Sequence, residues 1–179
     1  MGHDHSRAPL HPGPRVSRGH RPPRDRAGVP VKHWLAVVSA AHVRRGVGLG
    51  IAQVHHGRRP GLARMSAGDG FVYYSPREEL GSDVPCRRFT AVGRIADDEI
   101  WQADEGDFRP WRRRVDWASA DPVLIADLQD RLLLTSTPHW GYALRRGLLP
   151  LDEADFLLIE AAMTGAPPPA PTPTETHRA

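Results

Sequence analysis

Cysteine is almost absent from this sequence: Cys86 is the one thiol in 179 residues. An intramolecular disulfide is therefore impossible, and a cysteine-rich zinc site is excluded. Lysine is nearly missing too. Lys32 is the single lysine among 24 basic residues, in a chain that also holds 17 Gly and 18 Pro, which reads as compositional bias and not as a functional signal. No apolar run reaches the length of a leader h-region or a membrane span, so a cytoplasmic location and no membrane partner are expected. A Gly-x-Ser-x-Gly elbow is also lacking, so His55, Ser75 and Asp69 have no hydrolase frame around them. His55 and His56 are adjacent and would point opposite ways on an extended segment, with no third ligand at metal-site spacing. No metal and no cofactor are expected.

What charge there is lies unevenly. The chain carries a formal net charge of +3, but residues 1–30 hold six Arg against Asp4 and Asp25, a net +4. Residues 166–179 balance Glu175 against Arg178, which leaves residues 31–165 at −1. A fold so close to neutral draws little affinity for phosphate backbones from bulk charge, so nucleic-acid binding would need a local site. Residues 1–30, rich in Pro, Gly, Arg and His and including His3-Asp4-His5, cannot bury enough apolar surface to offset ordering entropy. They are expected to form a disordered basic tail, and the Pro-rich residues 166–179 a second disordered tail, around one domain at 31–165.

Within that domain short strands dominate. Residues 31–39 form an apolar run with Trp34, Leu35, Val37 and Val38, the pattern of a buried first strand, and 40–47 allow one or two helical turns before Gly48 and Gly50. Gly68-Asp69-Gly70 makes a tight turn into a strand at 71–75, closed by Pro76 and a polar loop over 77–86. Residues 88–95 and 99–102 read as paired strands around Ala96-Asp97-Asp98, and 111–117 as a further strand with Trp111, Arg113, Val115 and Trp117 on one face. A helix is expected over 122–134, capped by Asp121, with Leu124, Ile125, Leu128 and Leu132 as its stripe. The last helix follows Asp152 as N-cap, with Asp155 completing a capping-box variant, and ends at Gly165. These elements make an α+β domain around a curled sheet.

The order of short motifs goes further. His33-Trp34-Leu-Ala-Val-Val-Ser39 is followed by Gly50-Ile-Ala-Gln53, Leu62-Ala-Arg64-Met65 and Gly68-Asp69-Gly-Phe-Val-Tyr73-Tyr74-Ser75-Pro76. Then come Phe89-Thr90-Ala91-Val92-Gly93, Arg112-Arg-Arg114-Val115, His139-Trp140-Gly141 and Leu151-Asp152-Glu-Ala-Asp155-Phe156. Each is weak alone; together they resemble the EVE domain in its small stand-alone bacterial and archaeal branch, over nearly all of 31–165. The resemblance implies a PUA-like β-barrel or curled sheet with peripheral helices, related to the YTH domains that hold N6-methyladenine in an aromatic cage. It further implies recognition of modified bases in DNA or RNA, with no reaction established across the family. Two departures stand out: the basic N-terminal tail lies outside the family pattern, and Ser39 stands where many relatives carry an Asn.

The resemblance makes Trp34 a candidate cage wall, although a Trp on a buried strand is by base rate more often core. Tyr73 and Tyr74 alternate across their strand, so at most one touches a ligand from the barrel side, and Ser75 follows at the strand end. Gln53 offers both donor and acceptor to a base edge. Ser39 and Trp140 complete the candidate base pocket. Arg112 and Arg114 share a strand face and, with Arg109, are candidate phosphate contacts, the alternative being ion pairs with Asp or Glu. Three function classes follow: a module that holds a modified nucleobase of DNA or RNA without catalysis; a metal-independent ribonuclease of the related ASCH type, with His55 and Arg114 as the pair to test; and a protein-interaction module acting through the tails.

Overall fold

The computed structural model describes residues 30–167. Apart from Pro30, Ala166 and Pro167, which lie in no helix or strand, the two expected disordered tails fall outside the described residues, as do His3 and His5.

In chain order the elements are β1 (His33–Val37), α1 (Ala40–Leu49), β2 (Ile51–Ala52), α2 (Arg59–Leu62), β3 (Gly70–Arg77) and β4 (Pro85–Ile95). They continue with β5 (Trp101–Gln102), β6 (Trp111–Trp117), β7 (Val123–Leu124), α3 (Ile125–Leu128), α4 (Gly141–Leu144), β8 (Leu148–Leu151) and α5 (Glu153–Thr164). Six strands follow one another in the order β2-β6-β4-β3-β1-β8, with β5 added to β6 and β7 to β4. β1 and β3 pair in parallel and β1 and β8 antiparallel. A register shift at Tyr73/Tyr74, where β3 meets β4, adds the local bend of a bulge. The result is a curled α+β sheet with peripheral helices, the architecture that the resemblance implies.

Side chains alternate across a strand, and here both faces are covered. Trp34, Ala36, Phe71, Tyr73 and Val115 pack on one face with Val43 of α1. Leu35, Val72, Tyr74 and Phe89 pack on the other with Phe156 and Ile159 of α5. The alternation at Tyr73 and Tyr74 therefore separates two cores and not a core from solvent.

Three local expectations are corrected. β5 does not pair with β4; it pairs with β6, and the 96–100 segment is a connection tied to Arg113 and Arg114. The helix expected over 122–134 is broken into β7, one turn of α3 and a 3-10 turn at Leu133–Thr135. Val123 and Leu124 pair with Phe89 and Arg88, and that pairing wins over local helical propensity. Asp152 caps α5 as expected, its Oδ1 accepting from the Ala154 N–H at 2.9 Å. Asp155 does not close a capping box. Its buried carboxylate accepts the Leu133 and Leu134 N–H groups, each at 2.7 Å, and so pins the 3-10 turn to α5. β8, absent from the sequence reading, is four residues long and runs directly into the α5 cap.

Candidate functional site

β1 ends where α1, the 53–60 segment and the turn before β8 converge, because Val37 N–H donates to the Gly147 carbonyl and Val38 N–H to the Tyr74 carbonyl. The space enclosed there is a cleft of about 760 Å³. Its floor holds Val37, Val38, Ser39, Gln53 and Val54; His42 and Arg45 come from α1, and His55, His56 and Arg58 from the following turn. Arg145 and Arg146 close one side, and Leu80 and Phe108 stand on the rim. A cavity of this size suits a nucleotide-sized ligand.

The polar floor is tightly tied. The Tyr73 hydroxyl lies 3.0 Å from both the backbone N and O of Gln53, accepting from the first and donating to the second. Burial pushes the Tyr73 phenol above its ordinary pKa, so it stays a donor. Arg112 Nε donates to Gln53 Oε1 at 3.1 Å, and Arg112 Nη2 to Glu105 Oε1 at 2.6 Å. Arg45 pairs with the same Glu105 oxygen. The Arg112 hydrogen bond is the main cause holding the Glu105 carboxyl below its ordinary value. Burial holds the His42 imidazole below its own, with Arg45 and Arg112 acting the same way against a bond to the Gln53 backbone. His42 is therefore neutral at neutral pH.

The histidine turn is strained. His55 and His56 both have positive φ, 48° and 56°, a conformation that costs non-glycine residues of order 1–3 kcal/mol each. Contacts over-determine it: His55 Nε2 lies 2.9 Å from the Arg146 carbonyl, and a Cβ at Gly61 would sit 2.9 Å from His55 Nδ1. Gly147, at φ 71°, leaves room for the same ring.

The residues expected from the sequence divide into two groups. Ser39 and Gln53 line the cleft, and Arg112 lines a small recess behind Gln53. Ser39 is the N-cap residue of α1 but makes no cap hydrogen bond. Tyr73 reaches the site only through the Gln53 backbone. Trp34 does not line the cleft: it is 4% exposed, its Nε1 donates to Asp69 Oδ2 at 2.9 Å, and Arg64 covers its ring at 4.7 Å. Tyr74 and Trp140 pack in the opposite core, and Ser75 is buried with its hydroxyl 2.8 Å from Thr90 Oγ1. Arg109 pairs with Asp104, and Arg114 with Asp97 and Glu99, so these two lie in exposed ion pairs away from the cleft. His55 and Arg114, the pair considered for a ribonuclease, are not brought together: His55 lines the cleft and Arg114 does not. Arg45, Arg58, Arg145, Arg146 and Phe108 were missed. Arg45 lies on α1 with no signal that sets it apart from Arg44, and the others come from short or irregular segments where a basic or aromatic residue near a turn is the only sequence signal. Among the described residues no group of three or more His, Cys, Asp or Glu could hold a metal, and no helix is long and apolar enough to cross a membrane.

The model of the EVE domain matches residues 32–162. The chain belongs to the EVE domain family. A UPF0310 protein of Renibacterium salmoninarum is 53% identical over 131 residues, 73% of this chain and 94% of that one. Another, from Mesorhizobium japonicum, is 46% identical over 139 residues, 75% of this chain and 93% of that one. The solved structure of Rpa0253 from Rhodopseudomonas palustris is 18% identical, covers 75% of this EVE chain and 94% of its own, and has a TM-score of 0.49. EVE membership supports a nucleic-acid-binding module in general terms; the family is a binding domain.

Proposed function

We propose that this EVE protein holds a modified nucleobase of DNA or RNA in the cleft at the end of β1, without catalysing a reaction on it. The observation that carries the reading is the contrast of charge: four arginines line the cleft and no carboxylate does, in a domain whose net charge is −1. Arg58 and Arg146 make no ion pair among the described residues, so their charge is free for phosphate groups that flank an inserted base. The face of Phe108 and the histidine rings supply stacking surfaces, in place of the Trp34 wall expected from the sequence. Val37, Val38 and Val54 give the floor its apolar part.

Salt dependence tests the assignment. Arg58 is exposed on the cleft edge, so Arg58→Ala is expected to leave folding intact. It should weaken an oligonucleotide uniformly across sequences and reduce the salt slope by about 1, the loss of one phosphate contact. Fluorescence anisotropy at several salt concentrations reads both. An unchanged slope would remove the cleft arginines from the phosphate path.

A further inference from the structure

We propose that the cleft selects a nucleobase through a carbonyl edge, because Arg112 leaves Gln53 with donors alone to offer. This rests on the base-binding reading and specifies its ligand class. An arginine Nε can only donate, so the amide atom facing it at 3.1 Å must be the Gln53 oxygen. The Nε2 group makes no hydrogen bond among the described residues, although Gln53 is 8% exposed and lines the cleft. The group faces the cleft, where water can take its hydrogens in the free protein, and an acceptor on a ligand would take the place of that water. The amide cannot turn over to offer its oxygen without breaking the Arg112 bond. Nor can the main chain shift, since the Tyr73 hydroxyl holds both the N–H and the carbonyl of Gln53.

The surroundings have the same polarity. Arg45 adds donors beside Gln53, and the neighbouring carboxylate, Glu105, is engaged by Arg45 and Arg112. His55 Nε2 faces a carbonyl oxygen and must donate to it, which leaves its accepting Nδ1 turned toward Gly61. Ser39, His56 and the neutral His42 are the remaining cleft side chains able to accept. A free glutamine reads adenine by accepting from N6 while donating to N7. Here the accepting half of that pair is occupied. Adenine has no carbonyl, and its N1 and N7 acceptors both adjoin the N6 amino donor, which would face further donors. Uracil, thymine, cytosine, guanine and their oxidised derivatives bring a carbonyl oxygen instead. Adenine, with or without an N6-methyl group, is the poorest fit.

The test is a titration of the ¹⁵N-labelled full chain with uridine, guanosine and adenosine 5′-monophosphates, which share one phosphate, read by NMR shifts of backbone and Gln53 side-chain amides. UMP and GMP are expected to bind at least tenfold more tightly than AMP and to move the Gln53 side-chain NH2 resonances. Arg112→Met frees the amide to turn over, and the preference should then collapse toward unity; Glu105 keeps Arg45 as its partner. In Gln53→Glu the carboxylate keeps Arg112 and offers only acceptors, so the UMP and GMP preference should disappear. AMP binding in the cleft as tightly as UMP would overturn the carbonyl-edge inference and leave the base-binding reading standing. If none of the three nucleotides moved any cleft resonance, the carbonyl-edge inference would fall, and the base-binding reading would be decided by the oligonucleotide titrations of Arg58→Ala.

Discussion

Trp34→Ala is expected to lower stability by about 3–5 kcal/mol, the range for truncating a buried Trp, and to leave the affinity of the folded fraction unchanged. The ring is held on every side. It packs on β1 among Ala36, Phe71 and Met65, it donates to Asp69, and the Arg64 guanidinium lies over its face. Asp69 ties that contact to two chain segments, since its carboxylate also accepts the Lys32 and Ser66 N–H groups at 3.1 and 2.9 Å. Truncation removes the apolar filling and one of the hydrogen bonds that close the 66–70 turn. Trp34→Phe keeps most of the filling and loses the bond to Asp69, so its cost should be smaller. Urea melts and oligonucleotide titrations on the same proteins separate the effects. A Trp34→Ala protein of near-normal stability with lost binding would return the ring to the ligand site.

Arg113→Met is the second large effect, with an expected loss of about 3–5 kcal/mol, the scale for removing one partner of a buried charged network. Arg113 is 1% exposed at the centre of β6. Its Nη1 donates to the Leu62 carbonyl at 3.0 Å and to that of Met65; its Nε and Nη2 both reach the Asp97 carbonyl, and Nη2 also meets Asp98 Oδ1 at 3.2 Å. A buried ion pair is often replaced by apolar residues at little cost, but here most acceptors are backbone carbonyls, which no second substitution can remove. Methionine fills the volume and leaves those carbonyls without their donor. Arg113→Lys should recover only part of the loss, because one ammonium cannot span the fork. Burial already holds the Arg113 guanidinium below its ordinary pKa, though Asp98 and Asp97 oppose it, and it remains charged. An unfolding free energy from denaturant melts within about 0.5 kcal/mol of the parent, the scale of an exposed substitution, would show that the 62–65 and 97–98 segments do not depend on it.

Arg113 also shows where the sequence stopped being readable. Arg112, Arg113 and Arg114 are three identical residue types in a row, and alternation alone says that the middle one points away from its neighbours. It does not say that this middle arginine enters the core, since that depends on carbonyls from 62, 65 and 97 arriving beside it. The same holds for Gln53. Its chemistry made it a candidate base reader, yet its orientation is set by Arg112, 59 positions along the chain. Trp34 was ambiguous for a related reason: an aromatic residue at an apolar strand position satisfies a core and a stacking wall equally well. Local periodicity was enough for β1, β3, β6 and α5, whose apolar spacing and caps lie within a few residues. It failed at 122–134, where pairing with β4 overrides a helical stripe, and at β8, which is too short to leave a pattern. Motif order was more informative than periodicity, because it carried the EVE family and with it the curled sheet. The cleft arginines stayed hidden because Arg45, Arg58, Arg145 and Arg146 meet only once the parallel β1–β3 pair and the antiparallel β1–β8 pair are formed.

The most direct test of the central claim, that the cleft at the end of β1 receives the base, is zero-length ultraviolet cross-linking of single-stranded DNA and RNA oligonucleotides to the full chain, with the joined residues located by mass spectrometry. Cross-links within 37–45, 53–58, Phe108 or 145–147 are the expected result. Cross-links confined to the β5–β6 edge around Trp101 and Arg114, or to residues 1–30, would contradict it.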